Sequence, residues 1–286
     1  MMRVATIQEL REKLEGINVA RAGSDGVLKT GWPAVDEAIG GGLLEGGLHE
    51  WIGVASPNQD RSVSGGDQRR QSRTWSPPLC VLVHLAWQSL LASSHLRWTV
   101  WVGQRCFPYP SVMVKDRGTD RRLLDRSLFI MPRNAEGRLW AADIALRSPA
   151  VGAVVVDGNT FSMAATRRMQ LLAKEHRTLA LAVRPTWEQG ELSAAHSRWH
   201  ISWRAVLNTA QQAAHRPQWS LRLLRYKGQP PKRGFDQWVL EWDSGAGALN
   251  LFTEVAHSTR ATKNTQRHAQ REPQVHFRSQ PTSQTA

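Results

Sequence analysis

Residues 30–53 decide the fold and read TGWPAVDEAIGGGLLEGGLHEWIG. They predict an extended residue, a short helix, a glycine-rich turn and then a buried strand, LHEWIG. A strand of this kind, after such an entrance, commonly leads into a loop whose backbone N–H groups hold phosphate. The fold and the chemistry of the chain therefore depend on whether the residues after Gly53 can form that loop.

The residues after Gly53 lack the side chains that a phosphate loop needs. Such a loop requires a lysine for the β and γ oxygens and a Ser or Thr hydroxyl for magnesium, where the next helix begins. That helix is expected near Pro78, yet the chain has no lysine between Lys29 and Lys115. The arginines of SGGDQRR could contact an anion, but a solvated arginine-rich loop explains them better. We therefore expect no ATP hydrolysis, no cofactor and no metal.

Two further strands would supply the other parts of an ATPase site. VGAVVVDG ends in Asp157, where a carboxylate can hold magnesium through water, although many strands end in Asp at a turn. WTVWVGQRCF carries Gln104 and Arg105 where a carboxylate would activate the attacking water, and Gln does not accept a proton. We therefore interpret Asp157 as a vestige of a magnesium-associated strand end.

The order of the apolar segments predicts an α/β fold with a mainly parallel sheet flanked by helices. Between Pro78 and Pro185 helix and strand patterns alternate, and VGAVVVDG and TLALAVRP are nearly continuous apolar runs. In RWHISW, WSLRLLRY and WVLEWD the apolar residues recur with period two, which predicts antiparallel strands with one buried face. The residues expected on that face are Trp199, Ile201, Trp203, Trp219, Leu221, Leu223, Trp238, Leu240 and Trp242.

Composition divides the chain into three parts. Residues 1–27 hold a predicted short helix, TIQELREKLEGI, and a linker; residues 28–252 form the α/β domain. Residues 253–286 are polar and basic with almost no aliphatic side chains, so we expect a disordered tail. Within the domain, residues 57–77 are rich in Ser, Gly, Arg and Gln and are predicted to be a flexible loop.

The formal net charge of +13 favours polyanionic partners, and weak DNA binding is the first expectation. A generally basic composition with a basic tail explains the charge almost as well. Two cysteines are too few for a disulfide framework, and the N-terminus does not read as a signal peptide. No apolar run approaches the length of a membrane span, so the expected location is the cytoplasm. His84, within an apolar helix, is expected to be a core residue rather than a ligand.

Together these segments resemble the RecA-like superfamily. Thr30 and Gly31, Val35 and Asp36, and the glycine turn that follows match the pattern that precedes the phosphate loop in that superfamily. The segments LSAAHSRWHISW, PQWSLRLLRYKGQPPKRGFDQWVLEWD and LNLF resemble ImuA, the RecA-related family of bacterial mutagenesis cassettes. The resemblance covers roughly residues 28–252, with a gap at the loop rich in Ser and Arg.

The resemblance implies a non-catalytic accessory protein in the SOS response, acting in damage-induced translesion synthesis. Its implied partners are an ImuB-type relative of Y-family polymerases and an error-prone DnaE-type polymerase, with RecA as a further one. The alternatives are a RecA-like DNA-binding ATPase with an atypical phosphate site, a cell-division inhibitor with a degenerate RecA-like core, or a plain DNA-binding protein.

The C-terminal segment offers a candidate partner contact. Leu249, Leu251 and Phe252 form a short apolar patch just before the basic tail. One hypothesis is that this patch docks on a polymerase-type partner while the arginines of the tail attract DNA phosphates. The alternative is an inert, solubilising tail.

Overall fold

A computed structural model describes residues 26–53, 75–93, 97–204, 216–227 and 236–252. The predicted N-terminal helix at residues 6–17, most of the predicted loop at residues 57–77 and the whole predicted tail lie outside these ranges. Among the described helices, none combines the length and the apolar character that a membrane span requires.

The described residues form eleven strands and five α-helices, joined in part by short 3-10 turns. The strands are β1 (Val27–Leu28), β2 (Leu43–Leu44), β3 (Leu48–Ile52), β4 (Trp98–Val102), β5 (Ser127–Ile130), β6 (Val151–Asp157), β7 (Leu179–Arg184), β8 (Ser197–Arg204), β9 (Gln218–Tyr226), β10 (Gln237–Asp243) and β11 (Ala248–Leu251). The helices are α1 (Pro33–Ala38), α2 (Leu79–Ala92), α3 (Arg122–Asp125), α4 (Ala135–Arg147) and α5 (Met163–His176). The helices and strands predicted within these ranges are confirmed.

Nine of these strands form one sheet in the order β11-β10-β9-β8-β3-β7-β6-β4-β5. The pairs from β8 through β3 to β5 are parallel, whereas β8, β9, β10 and β11 pair antiparallel. The short strands β1 and β2 form a separate antiparallel pair. The predicted architecture, a mainly parallel sheet with antiparallel C-terminal strands, is therefore confirmed.

Helices cover both faces of the parallel strands, which is why those strands are apolar throughout. Val155 and Leu181 face the larger core, which includes α2, whereas Val154 and Val156 face the smaller one, with α4 and α5. Successive residues of a strand point to opposite faces, so one continuous apolar run supplies both cores.

Tryptophans form the centre of the larger core. The indoles of Trp51 and Trp199 stack with centroids 5.3 Å apart, and both side chains are fully buried. Trp219 and Trp238, also expected to be core, are partly buried and pack against it. The expectation was wrong for Trp203, which is 41% exposed. Its side chain lies beyond the core, opposite Trp219 near the end of the β8–β9 pair.

The entrance segment is held by a buried carboxylate. Asp36 Oδ1 accepts hydrogen bonds from the backbone N and the Oγ1 of Thr30, both at 2.8 Å, and so ties the strand-like residue to α1. The glycine turn then passes so close to β1 that a Cβ on Gly42, at φ +143°, would lie 2.3 Å from the Leu28 carbonyl oxygen. This segment is thus an integral part of the domain.

Two histidines are buried as neutral rings. His84 donates from Nε2 to the Thr30 carbonyl at 2.7 Å and stacks on Trp32, which confirms it as a core residue. His49 bridges the Ser197 hydroxyl and the Leu44 carbonyl. Burial lowers the pKa of each to about 4 because the charged ring loses its hydration.

Acidification should therefore destabilise the domain as the pH falls from about 6.5 to about 4. In this range an unfolded chain protonates both imidazoles, whereas the folded protein holds them neutral. The stability that the two neutral rings contribute is complete above pH 6.5 and should amount to roughly 3 kcal/mol for each ring. Urea unfolding measured across this range would show the loss, and His84→Gln should make the pH dependence shallower. An unchanged dependence in that variant would contradict the assignment.

Candidate functional site

The carboxyl ends of the central parallel strands meet at one edge of the sheet, which we call the carboxyl edge. Gly53 follows β3, Gly103 follows β4, Asp157 ends β6 and Arg184 ends β7. The N–H of Gly53 donates to the Arg184 carbonyl at 2.7 Å, which fixes the exit of β3. Open α/β sheets bind their ligands at this edge, so it is the first place to seek a site.

Asp157 lies at the end of a central strand, as the sequence predicts. Its Oδ1 accepts from the Asn159 backbone N at 3.1 Å, and its Oδ2 lies 3.9 Å from Arg105 Nε. Arg138 holds the same turn by donating to the carbonyls of Asp157 and Asn159 at 2.7 Å. Among the described residues no cluster of three His, Cys, Asp or Glu side chains could hold a metal ion. A magnesium role for Asp157 remains a hypothesis.

A glycine lets the end of β4 approach this carboxylate. A Cβ on Gly103, at φ +97°, would lie 2.8 Å from the Asp157 Cβ. The 3-10 turn that follows carries Gln104 and Arg105, so no carboxylate stands where an ATPase would activate water. Burial, reinforced by the negative charge of Asp157, raises the pKa of Cys106 well above its usual value. That thiol is therefore unreactive core.

Aromatic side chains occupy the edge beside β3. Trp75 is only 4% exposed and meets Trp187 edge-on, with centroids 6.4 Å apart. The guanidinium of Arg105 lies 5.4 Å from the centre of the Trp75 ring. Trp75 falls within the predicted flexible loop at residues 57–77, yet its indole is packed into the larger core.

The start of α2 is apolar where an ATPase would hold phosphate. The helix begins after Pro77 and Pro78, its first turn carries Leu79, Cys80 and Val81, and no side chain caps it. A cavity of about 220 Å³ opens beside it, lined by Trp219 and residues 76–81. Neither a lysine nor a Ser or Thr hydroxyl stands in that turn. The preceding residues 54–74 lie outside the described ranges.

A buried ionic network lies behind the carboxyl edge. Glu50, in the middle of β3, is fully buried and accepts three hydrogen bonds. Its Oε1 accepts from Arg184 Nη1 at 3.0 Å and Ser193 Oγ at 2.6 Å, and its Oε2 accepts from Arg198 Nε at 2.7 Å. These bonds connect β3 to both neighbouring strands, β7 and β8.

A second carboxylate extends the network to the loops of the edge. Glu188 Oε2 accepts from Arg184 Nε at 2.8 Å, and its Oε1 accepts from the Thr160 backbone N at 2.8 Å. Arg184 also donates to the Phe161 carbonyl at 2.9 Å. Burial opposes the charge of Arg184, but Glu50 and Glu188 outweigh it and raise the pKa of the guanidinium. Two carboxylates thus balance two guanidiniums, and the loops after β6 and β7 are fixed together.

Sequence reasoning missed this network, although a signal was present. Glu50 interrupts the apolar run LHEWI, and Arg184 ends the apolar run LALAVR. A charge inside a strand that is otherwise buried requires a partner of opposite sign. Which partner it finds depends on the strand order, and that order follows from packing across distant segments.

The expected docking patch at the C-terminus needs correction. Leu249 is 1% exposed and belongs to the larger core, and its carbonyl accepts from Trp32 Nε1 at 2.8 Å. Leu251 pairs with Leu240 in β11 and packs against the same core. Phe252, at 38% exposed, is the most accessible member of the patch, and Leu251 is partly buried. Leu249 and Leu251 therefore pack β11, the last strand of the domain, against the core.

Comparison with known proteins tests the fold. No protein-family model and no curated protein matches the chain. Among solved structures, a crystal structure of the RadB recombinase matches with a TM-score of 0.53 over 79% of this chain and 100% of that one. The fold is RecA-like. Because the two sequences are 12% identical, the likeness bears on the RecA-like fold alone and not on activity.

Removal of the central carboxylate should destabilise the domain. Glu50→Gln leaves two buried guanidiniums with one carboxylate, and such a change costs about 3–5 kcal/mol of unfolding free energy. Asp125→Asn is the matched control, because that carboxylate is exposed and 3.7 Å from Arg121, a pair worth less than about 1 kcal/mol. Denaturant unfolding measures the free energy of unfolding of both variants and of the wild type. Equal stabilities would show that the network contributes little.

Proposed function

We propose that this RecA-like protein is a non-catalytic accessory factor in damage-induced mutagenesis. It would support translesion synthesis by contacts with an ImuB-type polymerase relative and an error-prone DnaE-type polymerase, with RecA as a further partner. The resemblance of its C-terminal strands to ImuA supports the biological setting. The exposed apolar edge of β5 supports action through protein contacts and is the observation on which the proposal mainly rests.

Strand β5 is the last strand of the sheet and pairs only with β4 among the described strands. Its last three residues and the residue that follows the strand are apolar and exposed: Leu128 by 47%, Phe129 by 43%, Ile130 by 37% and Met131 by 66%. Folded proteins usually protect such an edge, because its free N–H and C=O groups can pair with another chain. An exposed apolar edge strand is therefore a suitable acceptor for an extended segment of a partner.

The two faces of β5 differ in what they can offer a partner. Phe129 packs against Trp101 and Phe107, so its ring is partly fixed by the domain. Leu128 and Ile130 pair with Val100 and Val102 of β4 and lie on the opposite face. These two side chains can be changed with little effect on the aromatic packing.

The start of α2 supports the proposal that the protein does not use ATP. Phosphate binding at a helix N-terminus needs accessible backbone donors, and an ATPase adds a lysine and a hydroxyl. Here Pro77 and Pro78 supply no N–H, and the next three side chains are apolar or a thiol. The carboxyl edge would then be kept for the fold, while the chemistry is supplied by the polymerase partners.

We expect neither tight binding nor hydrolysis of Mg-ATP. Titration calorimetry and a phosphate-release assay on the full chain measure both. Micromolar binding that is lost in Asp157→Ala would contradict this proposal and favour the alternative, an ATPase with an atypical phosphate site.

The double variant Leu128→Lys/Ile130→Lys should reduce co-purification with the ImuB-type partner at least tenfold. Two charges on the edge oppose burial of the strand against an extended segment. Leu91→Lys is a matched control, because Leu91 is 50% exposed on α2. Thermal unfolding should show that both proteins are folded. Wild-type binding by the double variant would reject the edge as the contact.

A chain that ends at Phe252 tests the tether hypothesis for the tail. The cut belongs after Phe252, because an earlier one would remove β11 and with it Leu249 from the core. If the tail is a tether, this chain should bind the same partner more weakly than the full chain does. Undiminished binding would favour the inert tail.

A further inference from the structure

The antiparallel strands have one polar face that α4 and α5 leave open. Helix α5 lies over β3 and β7. On β8, β9 and β10 the same side of the sheet presents cross-strand pairs of polar residues: His200 with Arg222, Ser202 with Ser220, and Gln237 with Arg222. Arg222 and Gln237 are exposed. These polar side chains lie on the opposite side of the sheet from the tryptophans of the larger core.

Four cations lie on this face or on the neighbouring helix α5, and we call them the basic strip: Arg167, Arg222, Arg225 and Lys227. Arg225 and Lys227 lie at the end of β9, and Arg167 lies on the exposed side of α5. No ion pair among the described residues includes any of the four. The nearby carboxylate of Glu50 is already paired with Arg184 and Arg198.

Lys227 is close enough to Arg225 and Arg167 for their charges to repel one another. Burial, and after it the charges of Arg225 and Arg167, lowers the pKa of Lys227. Burial followed by the charge of Arg222 lowers the pKa of His200. Like charges held together raise the free energy of the folded protein, and a bound anion would offset that cost.

Two cations of the strip, Arg225 and Lys227, are held in place by the fold, whereas Arg167 and Arg222 are accessible to a ligand. Arg225 donates to the carbonyls of Ser193 and Ala195 at 2.9 Å, and Lys227 donates to the Ala194 carbonyl at 2.6 Å. Both cations are therefore fixed by the loop that they clamp. The side chains of Arg167 and Arg222 are exposed and donate no hydrogen bond to another described residue. They can reorient towards a ligand without breaking the fold.

We propose that the basic strip binds the phosphodiester backbone of nucleic acid. A bulge in β9 takes up one residue between Arg222 and Lys227, so these two residues lie roughly 14 Å apart along the strand direction, which corresponds to about four base steps at 3.4 Å. A repeating anion of this spacing matches a row of cations better than a single carboxylate does. The inference rests on charge and geometry, and it stands whether or not the partner contacts proposed above are correct.

The residues of the open face indicate how the nucleic acid would be recognised. The described tryptophans of β8 and β9 lie on the opposite side of the sheet, so none of them provides a platform for bases on the open face. The contacts should therefore be to phosphates and independent of sequence. Single and double strands should both bind, and affinity should fall steeply with salt.

The test is fluorescence anisotropy with the full chain, a 20-nucleotide single strand and the corresponding duplex, at several salt concentrations. Arg167→Gln/Arg222→Gln should weaken binding of both at least tenfold at about 0.1 M salt. It should also reduce the slope of log K against log salt by roughly 1.4 for the single strand and 1.8 for the duplex. Any contribution of the basic tail is present in every protein compared.

Arg121→Gln/Arg133→Gln removes the same charge from exposed arginines outside the strip and should have a small effect. An equal loss in this control would assign binding to net charge alone and overturn the proposal. The proposal would also be overturned if Arg167→Gln/Arg222→Gln bound both oligonucleotides with the affinity and the salt slope of the wild type. A third contrary result would be a polyglutamate peptide that binds the strip while neither oligonucleotide does, since the strip would then serve an acidic protein. Thermal unfolding confirms that each variant is folded.

Discussion

The buried carboxylate of Glu50 is the constraint on which the rest of the structure depends. It lies in the central strand β3, fully removed from water, and two guanidiniums from the neighbouring strands satisfy it. A buried charge is tolerated only when it is paired and hydrogen-bonded. The order β7-β3-β8 is therefore coupled to charge balance, and through Glu188 the loops after β6 and β7 are coupled to it as well.

This arrangement separates the two sides of the molecule that matter for function. At the carboxyl edge, Trp75, Trp187 and the proline-led start of α2 stand where phosphate chemistry would require lysine and hydroxyl groups. Away from that edge lie the exposed apolar strand β5, which we propose as the contact for a protein partner, and the basic strip, which we propose as the contact for nucleic acid. In the function proposed above, a RecA-like fold would bring protein and nucleic acid together without performing catalysis itself.

Much of the fold follows from residue patterns that the chain carries locally. The apolar runs VGAVVVDG and TLALAVRP predict central parallel strands, and the period of two in RWHISW and WSLRLLRY predicts antiparallel ones. The prediction failed at Trp203, which is exposed, and at Leu249, which is buried in the core instead of being accessible for docking. The alternation of apolar and polar residues predicts which face of the strand a side chain lies on. It does not predict how far along the strand the packed core extends.

By itself, the sequence determined the α/β class, the identity of most elements, Asp157 at a strand end and the missing lysine, because these depend on local pattern and composition. Tertiary structure alone decided which partners neutralise Glu50, that Leu249 closes the core against Trp32, and that Arg167 joins Arg225 and Lys227. The reason is physical: pairing of charges and covering of apolar side chains join residues far apart in the chain. Their contacts are set by strand order and helix placement, which no local window of sequence contains.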